Sequence, residues 1–323
     1  MSQPRAARHD RVTVELSAAI VAASPAGPSV LTVRRRHEGP SGLPSGPLEA
    51  EHRTLEAGLR RRVEDQTGQQ LGHVEQLYTF GDRDRAADPG GEAGCRALSI
   101  GYLALVREAR PAGSAEGEWH GWYGHFPWED RREGRPPLLD RLERRLLDWA
   151  EAAAGAAERR LRRERLAATF AVGGEGWIED RVLERYELLY EAGMVPEARR
   201  DESDTPPDPG AEGLPMMADH RRILATAIGR LRGKIKYRPI VFELMPPAFT
   251  FLQLQQTVEG LAGIRLHKPN FRRLVEQQGL VEETGAMSPE TGGRPARLLR
   301  FRPEVLLERP APGLRLPRPR PPA

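Results

Sequence analysis

The residues from Leu244 to Phe301 constrain the fold of this chain more than any other stretch. They are typical of one amphipathic helix, a short turn that Gly263 permits, and a second helix that begins with Lys268-Pro269-Asn270. Proline is tolerated in the first helical turn because its missing N–H has no intrahelical partner there. Two strand-like runs follow, joined by a loop rich in glycine and arginine. The order helix, turn, helix, strand, loop, strand predicts a winged helix-turn-helix.

Cations and amides are concentrated on the second helix and the wing of this predicted domain. A helix that enters the major groove contacts bases from its N-terminal turns, where Arg suits guanine and Asn or Gln suits adenine. In the wing, Gly292-Gly293 would let neighbouring guanidinium groups approach phosphates or the minor groove. The DNA-contacting candidates are Lys268, Asn270, Arg272, Arg273, Gln277, Arg294 and Arg297. Because winged helices also bind proteins, an interaction scaffold remains an alternative.

The charge of the chain changes sign along its length. Residues 216–323 contain 19 Lys and Arg against 9 Asp and Glu, whereas residues 1–215 contain 30 against 37. The two segments therefore carry formal charges of +10 and −7, which agrees with the net charge of +3 for the whole chain. A basic C-terminal third beside an acidic remainder suggests that only the former faces a polyanion.

The composition also narrows the class of protein. The single cysteine, Cys95, excludes an intramolecular disulfide and a cysteine-based zinc finger, and it suits a reducing cytosol. No run approaches the roughly 18–20 apolar residues that cross a membrane, and the first residues lack the apolar core of a signal peptide. We therefore expect a cytoplasmic protein without a membrane partner.

The N-terminal segment combines strand and helix patterns. Residues 48–67 predict a helix, since Leu55, Leu59 and Val63 form one apolar stripe and Gly68 is a typical C-terminal stop. Apolar alternation and short apolar runs predict strands, at residues 12–21, 29–34, 74–80 and 98–106, with a turn at 25–28 between the first two.

Both ends of the chain resemble one family. Strand, strand, Gly-rich loop, helix, strand is the order of a Nudix domain, which is an α/β/α sandwich. The N-terminal resemblance is carried by Gly46-Pro47 through Gly68 and by residues 75–82 and 99–106. The C-terminal part resembles the winged-helix half of Nudix-related transcriptional regulators of NAD metabolism (the NrtR or NadQ type), in Arg222–Ala227, Arg230–Lys234, Phe242–Leu244, Asn270–Arg273 and Gly292–Ala296. The matches cover most of residues 10–130 and 216–303.

The catalytic signature of Nudix hydrolases is altered on the predicted helix. Those enzymes carry Arg-Glu, a hydrophobic residue, any residue and then Glu-Glu. A magnesium-bound pyrophosphate needs several carboxylates on one helical face. Aligned on Thr67-Gly68, this chain has Arg62 and Gln66 in place of two of the glutamates, and only Asp65 keeps a carboxylate there. We therefore expect neither a catalytic residue nor a metal site.

A Nudix-like fold that has lost its chemistry can still bind a nucleotide. The candidates for contacting an anionic ligand are Arg34, Arg35, Arg36, Arg61, Arg62 and Tyr78. An amphipathic scaffold helix without a ligand is the alternative. We expect a nucleotide effector, either NAD, ADP-ribose or an ATP-like molecule, and no required cofactor.

The fold class predicted from the sequence is α+β. The predicted segments are a Nudix-like α/β/α sandwich at 1–137, a helical insert packing on it at 138–198, a linker at 199–215, a winged helix-turn-helix domain at 216–303 and a disordered Pro- and Arg-rich tail at 304–323. The linker is rich in Pro and Asp and has little apolar surface to bury.

The resemblance implies a homodimeric transcriptional regulator that represses genes of NAD biosynthesis or salvage. Its partners would be a palindromic double-stranded DNA operator and the nucleotide effector. Two alternatives remain: a Nudix-type pyrophosphohydrolase of ADP-ribose-like substrates with a nucleic-acid-binding appendage, and a winged-helix scaffold for protein interactions.

Overall fold

The computed structural model describes residues 11–34, 39–82, 95–107, 117–174, 176–199, 212–288, 295–309 and 311–314. Its strands are β1 (Arg11–Ser24), β2 (Gly27–Val33), β3 (Ser45–Pro47), β4 (Val74–Phe80), β5 (Cys95–Leu105), β6 (Gly117–Gly121), β7 (Val281–Ser288) and β8 (Ala296–Phe301). Its helices are α1 (Leu55–Thr67), α2 (Trp122–His125), α3 (Pro137–Glu151), α4 (Ala156–Phe170), α5 (Val182–Glu191), α6 (His220–Ile235), α7 (Phe251–Ala262), α8 (Lys268–Gln278) and α9 (Val305–Glu308). In the described part of the chain, no helix has the length and the apolar composition of a membrane-spanning segment.

The larger sheet is mixed, with the strand order β4-β5-β1-β2-β6. Strand β1 lies at its centre and pairs in parallel with β5. On its other side, β1 pairs antiparallel first with β3 and then with β2, and the predicted turn between β1 and β2 is confirmed. Side chains alternate along β1, so Leu16, Ala18 and Ile20 face one core while Ala19 and Val21 face another.

Helix α1 covers the first of these cores. Leu59 and Val63 are fully buried there, which confirms the predicted apolar stripe. The helix begins at Leu55 because the hydroxyl of Thr54 accepts a hydrogen bond from the N–H of Ala57 at 3.1 Å. It ends at Gly68, whose φ of 65° is the left-handed conformation that favours glycine. The predicted stop is therefore confirmed, although the helix starts seven residues after residue 48.

Helices α6 and α7 cover the opposite face of the sheet and complete an α/β/α sandwich. Helix α6 contacts β1, β4 and β5, and α7 contacts β1 and β2. The assignment of α6 to a separate C-terminal domain is therefore wrong. Ile223 packs so closely on β5 at Gly101 that a β-carbon there would lie 3.0 Å from it. The apolar stripe of α6 looks the same in the sequence whichever core it covers, so periodicity could not identify its partner.

The middle of the chain forms three helices that share the core of α6. Leu139, Leu142 and Leu146 of α3 are buried. Helix α4 packs on α3, and α5 packs on α6. The insert thereby joins the larger of the two cores.

The wing is a two-stranded antiparallel sheet of β7 and β8. The sequence pattern predicts a strand over Leu280–Glu283 and a wing loop over Thr284–Arg297, but β7 continues to Ser288, five residues beyond Glu283. A register shift lets the pairing resume at Met287, and Gly285 adopts a φ of 81° within the irregular stretch. The loop that joins β7 and β8 is therefore shorter than the loop that the sequence predicts.

Part of the predicted disordered tail is ordered. Residues 305–308 form α9, and Val305 is fully buried. Leu314 is also fully buried, and its N–H donates a hydrogen bond to the carbonyl of Ile235 at 2.8 Å. The prediction of disorder from residue 304 is wrong for these residues, because two apolar side chains among the prolines and arginines find a core. Residues 315–323 lie outside the described part of the chain.

Candidate nucleic-acid interface and sensor face

Helix α7 and the turn after it are held by local hydrogen bonds. Thr250 and Gln253 form a capping box, in which the Thr250 hydroxyl accepts from the N–H of Gln253 at 3.2 Å and the Gln253 side chain accepts from the N–H of Thr250 at 2.7 Å. The buried carboxylate of Glu259 accepts from the N–H of Leu266 at 2.9 Å and from the Gln255 amide at 2.8 Å. The turn into α8 is therefore fixed by a buried acid.

Helix α8 presents one apolar side and one polar side. Phe271 and Val275 are buried, and the ring of Phe271 meets that of Phe251 edge to face with centroids 6.3 Å apart. The predicted contact residues on this helix are all exposed, namely Lys268, Asn270, Arg272, Arg273 and Gln277. All five are therefore accessible to solvent, but Arg273, Asn270 and Gln277 lie opposite the buried residues whereas Lys268 and Arg272 lie nearer to them.

The two adjacent arginines of α8 have different surroundings. Arg272 donates to the carboxylate of Glu276 at 2.9 Å, and its guanidinium carbon lies 5.3 Å from the ring centroid of Phe251. Arg273 makes a longer contact, 3.4 Å, with the side-chain oxygen of Asn270. At about 3.6 residues per turn, Arg273 lies opposite the mean direction of Phe271 and Val275. Arg273 is thus the outermost cation of the helix.

The wing is joined to α7 and carries paired charges. Phe249, just before α7, bridges to Leu299 of β8 through two backbone hydrogen bonds of 3.0 and 2.8 Å. The predicted contact residue Arg297 is exposed and forms an ion pair with Glu283 across the wing. Arg300 pairs with Glu282 at 2.6 Å. Arg294 lies outside the described residues.

The predicted ligand-binding residues are not all on one face. Arg61 and Arg62 lie on α1, and Arg34 is exposed just after β2. Tyr78 lies on β4, where the Arg230 guanidinium of α6 stands 6.0 Å from its ring centroid. Because α1 and α6 cover opposite faces of the sheet, Tyr78 is separated from the α1 arginines. Arg35 and Arg36 are outside the described residues.

The altered signature positions on α1 bind other parts of the protein. Arg62 donates to the carboxylate of Glu49 at 2.9 Å and lies over Gly46, where a side chain would collide with it. The Gln66 amide accepts from the N–H of Ser45 at 3.1 Å and donates to its carbonyl at 2.8 Å, so it ties α1 to β3. Asp65 is exposed and 4.0 Å from the Arg61 guanidinium. A guanidinium and an amide that donates to a carbonyl do not fit a magnesium site.

Within the described ranges, no group of three or more His, Cys, Asp or Glu side chains is arranged to hold a metal ion.

The sequence did not reveal a buried ionic cluster between the insert, α6 and α7. Glu129 is 1% exposed and accepts from Arg185 at 2.9 Å and from Arg232 at 2.6 Å. Burial alone would raise the pKa of Glu129, but the two guanidinium groups bring it below its usual value. Arg232 also donates to the carbonyl of Leu261 at 2.8 Å and to the Tyr123 hydroxyl at 3.2 Å. Arg185 and Arg232 lie 56 and 103 residues from Glu129 in the sequence, so no local pattern could have identified the cluster.

Comparison with known proteins identifies the C-terminal domain. Residues 241–301 match the family model of the NrtR DNA-binding winged helix domain. The ADPR responsive transcriptional repressor NtrR of Acinetobacter baylyi is 42% identical to this chain over 88 residues. That match covers 27% of this chain and 35% of the repressor, so the chain spans about a third of the length of that relative.

Solved structures share the fold of nearly the whole chain. Shewanella oneidensis NrtR, in complex with a 27mer DNA, has a TM-score of 0.53 and 21% identity, with 90% of this chain and 94% of that one covered. A MutT/nudix family protein from Enterococcus faecalis has a TM-score of 0.51 and 16% identity, with 94% and 90% covered. The chain therefore has a Nudix domain followed by a winged helix, and its resemblance to NrtR-like Nudix regulators is confirmed.

Proposed function

We propose that this NrtR-like chain is a DNA-binding transcriptional repressor of NAD biosynthesis or salvage genes that responds to a nucleotide effector. The observation that carries the proposal is the exposed side of α8, where Arg273, Asn270 and Gln277 lie opposite the buried residues. These are side chains that form bidentate contacts with guanine and adenine in the major groove. As a regulator of genes, the protein would act in the cytoplasm.

Two copies of α8 would read the two halves of a palindromic operator. A homodimer is the arrangement that matches the symmetry of such a site, because half-sites one helical turn apart require two recognition helices in a fixed relation. An effector that prefers one arrangement of the dimer would then change operator affinity through the linkage of the two binding equilibria.

ADP-ribose is the first candidate effector, because the Acinetobacter baylyi relative is named for its response to ADPR. The exposed Arg61 of α1, with Arg34 and Arg62, offers guanidinium groups for its phosphates. The geometry of Arg62 and Gln66 supports binding without hydrolysis, since Arg62 is a cation bound to Glu49 and the Gln66 amide is engaged in hydrogen bonds with Ser45.

The proposal is tested with the DNA upstream of the gene for this chain, in a fluorescence anisotropy titration against scrambled DNA of equal length. We expect specific binding that weakens as salt rises and that is abolished by Arg272→Ala and Arg273→Ala together. Absence of any salt-sensitive binding to the upstream DNA would overturn the proposal and favour a protein-interaction scaffold.

The effector is tested by a thermal-shift screen of ADP-ribose, NAD, ATP and nicotinate compounds. We expect ADP-ribose to raise the melting temperature, since a ligand that binds only the folded state stabilises it. Release of AMP from ADP-ribose in the presence of magnesium would instead favour the hydrolase alternative.

A further inference from the structure

We propose that Tyr123 and Arg232 are positioning residues for DNA recognition, which hold the C-terminal end of α7 on the Nudix core and thereby orient α8. The proposal rests on the proposed DNA-binding function and assigns a mechanical role to side chains far from the DNA-contacting face.

The last turn of an α-helix leaves carbonyl groups without intrahelical partners. In α7 these carbonyls are bound by groups from distant parts of the chain. The Tyr123 hydroxyl donates to the carbonyl of Gly260 at 2.6 Å, and Arg232 Nε donates to that of Leu261 at 2.8 Å. The N–H of Arg131 donates to the carbonyl of Gly263 at 2.8 Å. The cap of α7 is therefore made largely by the Nudix core.

The donors are themselves held in place. Burial raises the pKa of Tyr123, so its hydroxyl keeps the proton that it donates. Arg232 is 2% exposed and is fixed by the carboxylate of Glu129, which also binds Arg185 of the insert. A charge-assisted network of this kind in a buried site is stiff, because each member loses a partner if another moves. The helical insert is thereby connected to the end of α7.

The contact leaves no room for adjustment. Gly263 has a φ of 73°, and a β-carbon there would lie 2.4 Å from the carbonyl oxygen of Glu129. Gly260 faces the start of β2, where a β-carbon would lie 3.2 Å from Pro28. A displacement of the sheet or of Glu129 therefore acts directly on the backbone of α7.

The path from α7 to α8 is short and rigid. The Glu259 carboxylate binds the N–H of Leu266 at 2.9 Å, two residues before α8 begins. Arg265 of the same turn pairs with Glu259 at 3.1 Å and also with Glu133, which follows Glu129 on the core. The direction of α8 thus follows that of α7 and the segment around Glu129.

The experiment compares Tyr123→Phe with wild-type protein and with Tyr237→Phe as a matched control. The Phe ring keeps the packing of residue 123 on Trp122, and only the hydroxyl is lost. Tyr237 is 43% exposed and lies two residues after the end of α6. Operator affinity is measured by anisotropy with and without ADP-ribose, ADP-ribose affinity by calorimetry, and opening of the α7 end by amide hydrogen exchange at residues 259–263.

For Tyr123→Phe we expect operator binding about three- to tenfold weaker, the loss typical of one hydrogen bond. We also expect a smaller effect of ADP-ribose on operator affinity, unchanged ADP-ribose affinity, and faster exchange at 259–263. Wild-type operator affinity and response, or an equal change in Tyr237→Phe, would overturn this inference alone. A wild-type protein that does not bind the upstream DNA would overturn the proposed function instead.

Discussion

At the scale of single residues, neighbouring side chains of the same type have different surroundings. Arg272 lies beside Phe251 and pairs with Glu276, whereas Arg273 projects from the outermost line of α8. The residue types of the candidate DNA face could be read from the sequence. Their different surroundings depend on a ring from α7, and that contact becomes visible only in the folded chain.

Replacing Arg273 by Ala should weaken operator binding more than replacing Arg272. A bidentate contact of Arg with guanine is worth about 1–3 kcal/mol, so Arg273→Ala should raise the Kd roughly five- to 150-fold and relax the sequence preference at one base pair. Arg272→Ala should cause a smaller loss, because its guanidinium is already engaged with Glu276 and Phe251. Anisotropy titrations of both variants on matched and mismatched operators measure this, and equal losses would contradict it.

Replacing Gln66 by Glu should not create a hydrolase. The carboxylate cannot donate to the Ser45 carbonyl as the amide does, so the variant should lose about 1 kcal/mol of unfolding free energy. Arg62 would still occupy the neighbouring signature position, bound to Glu49. The checks are chemical denaturation and an assay for magnesium-dependent release of AMP from ADP-ribose, in which activity above wild type would refute the expectation.

At the scale of helices and strands, local sequence patterns were sufficient to predict an element wherever it packs on a single core. The strand pattern at residues 74–80 and the apolar stripe of α8 gave β4 and α8 within a few residues, whereas α1 begins seven residues later than predicted. The element against which each helix packs could not be predicted in the same way. Helix α6 has the stripe of any buried helix, and its place on the sheet depends on close approach at Gly101. The ordered part of the tail was missed because it depends on two apolar side chains, Val305 and Leu314, among prolines and arginines.

Replacing Leu314 by Ala should destabilise the protein, whereas the same change at Leu307 should not. Leu314 is fully buried, so its truncation should lower the free energy of unfolding by about 2–5 kcal/mol, the range for a leucine lost from a core. Leu307 is 93% exposed and lies on the nearby α9, which makes it a matched control with an expected change within about 0.5 kcal/mol. Urea denaturation of both variants measures the difference, and similar midpoints would show that the tail contributes no stability.

At the scale of the whole molecule, buried charges join segments that are distant in sequence. Arg185, Arg221 and Arg232 are each no more than 2% exposed, and each is paired with a buried glutamate. Removing one partner of such a pair leaves an uncompensated charge and typically costs about 3–5 kcal/mol. The relative placement of insert, sheet and α7 therefore depends on buried ion pairs in which neither partner can be replaced without a large loss of stability.

Unfolding free energy should fall as the pH drops below about 6.5, in part because of His125. Burial lowers the pKa of His125, which lies near Arg221, His120 and Glu197, so the unfolded chain takes up this proton first. The contribution is complete above the unfolded pKa and is lost as pH falls toward the lower folded pKa. His125 Nδ1 donates to the Leu214 carbonyl at 3.0 Å, and Nε2 has no hydrogen-bond partner within the described residues.

The variant His125→Asn separates this contribution from that of other groups. The asparagine amide can keep a donor directed at Leu214 but cannot take up a proton. Denaturation at pH 7.5, 6.5 and 5.5 should therefore give a shallower loss of stability than in the wild type, and parallel curves would contradict the assignment to His125.

The cap on α7 has a consequence for how such proteins can be recombined. Tyr123 stands 137 positions before Gly260, the residue whose carbonyl it binds. A winged-helix segment that is cut within the predicted linker at 199–215 and fused to a foreign sensor would keep Arg232 but lose Tyr123 and the counter-ion Glu129. The Nudix domain and the winged helix therefore cannot be exchanged independently, and we expect them to be inherited together. New operator preferences would then arise by substitutions on the outer line of α8 rather than by shuffling whole domains.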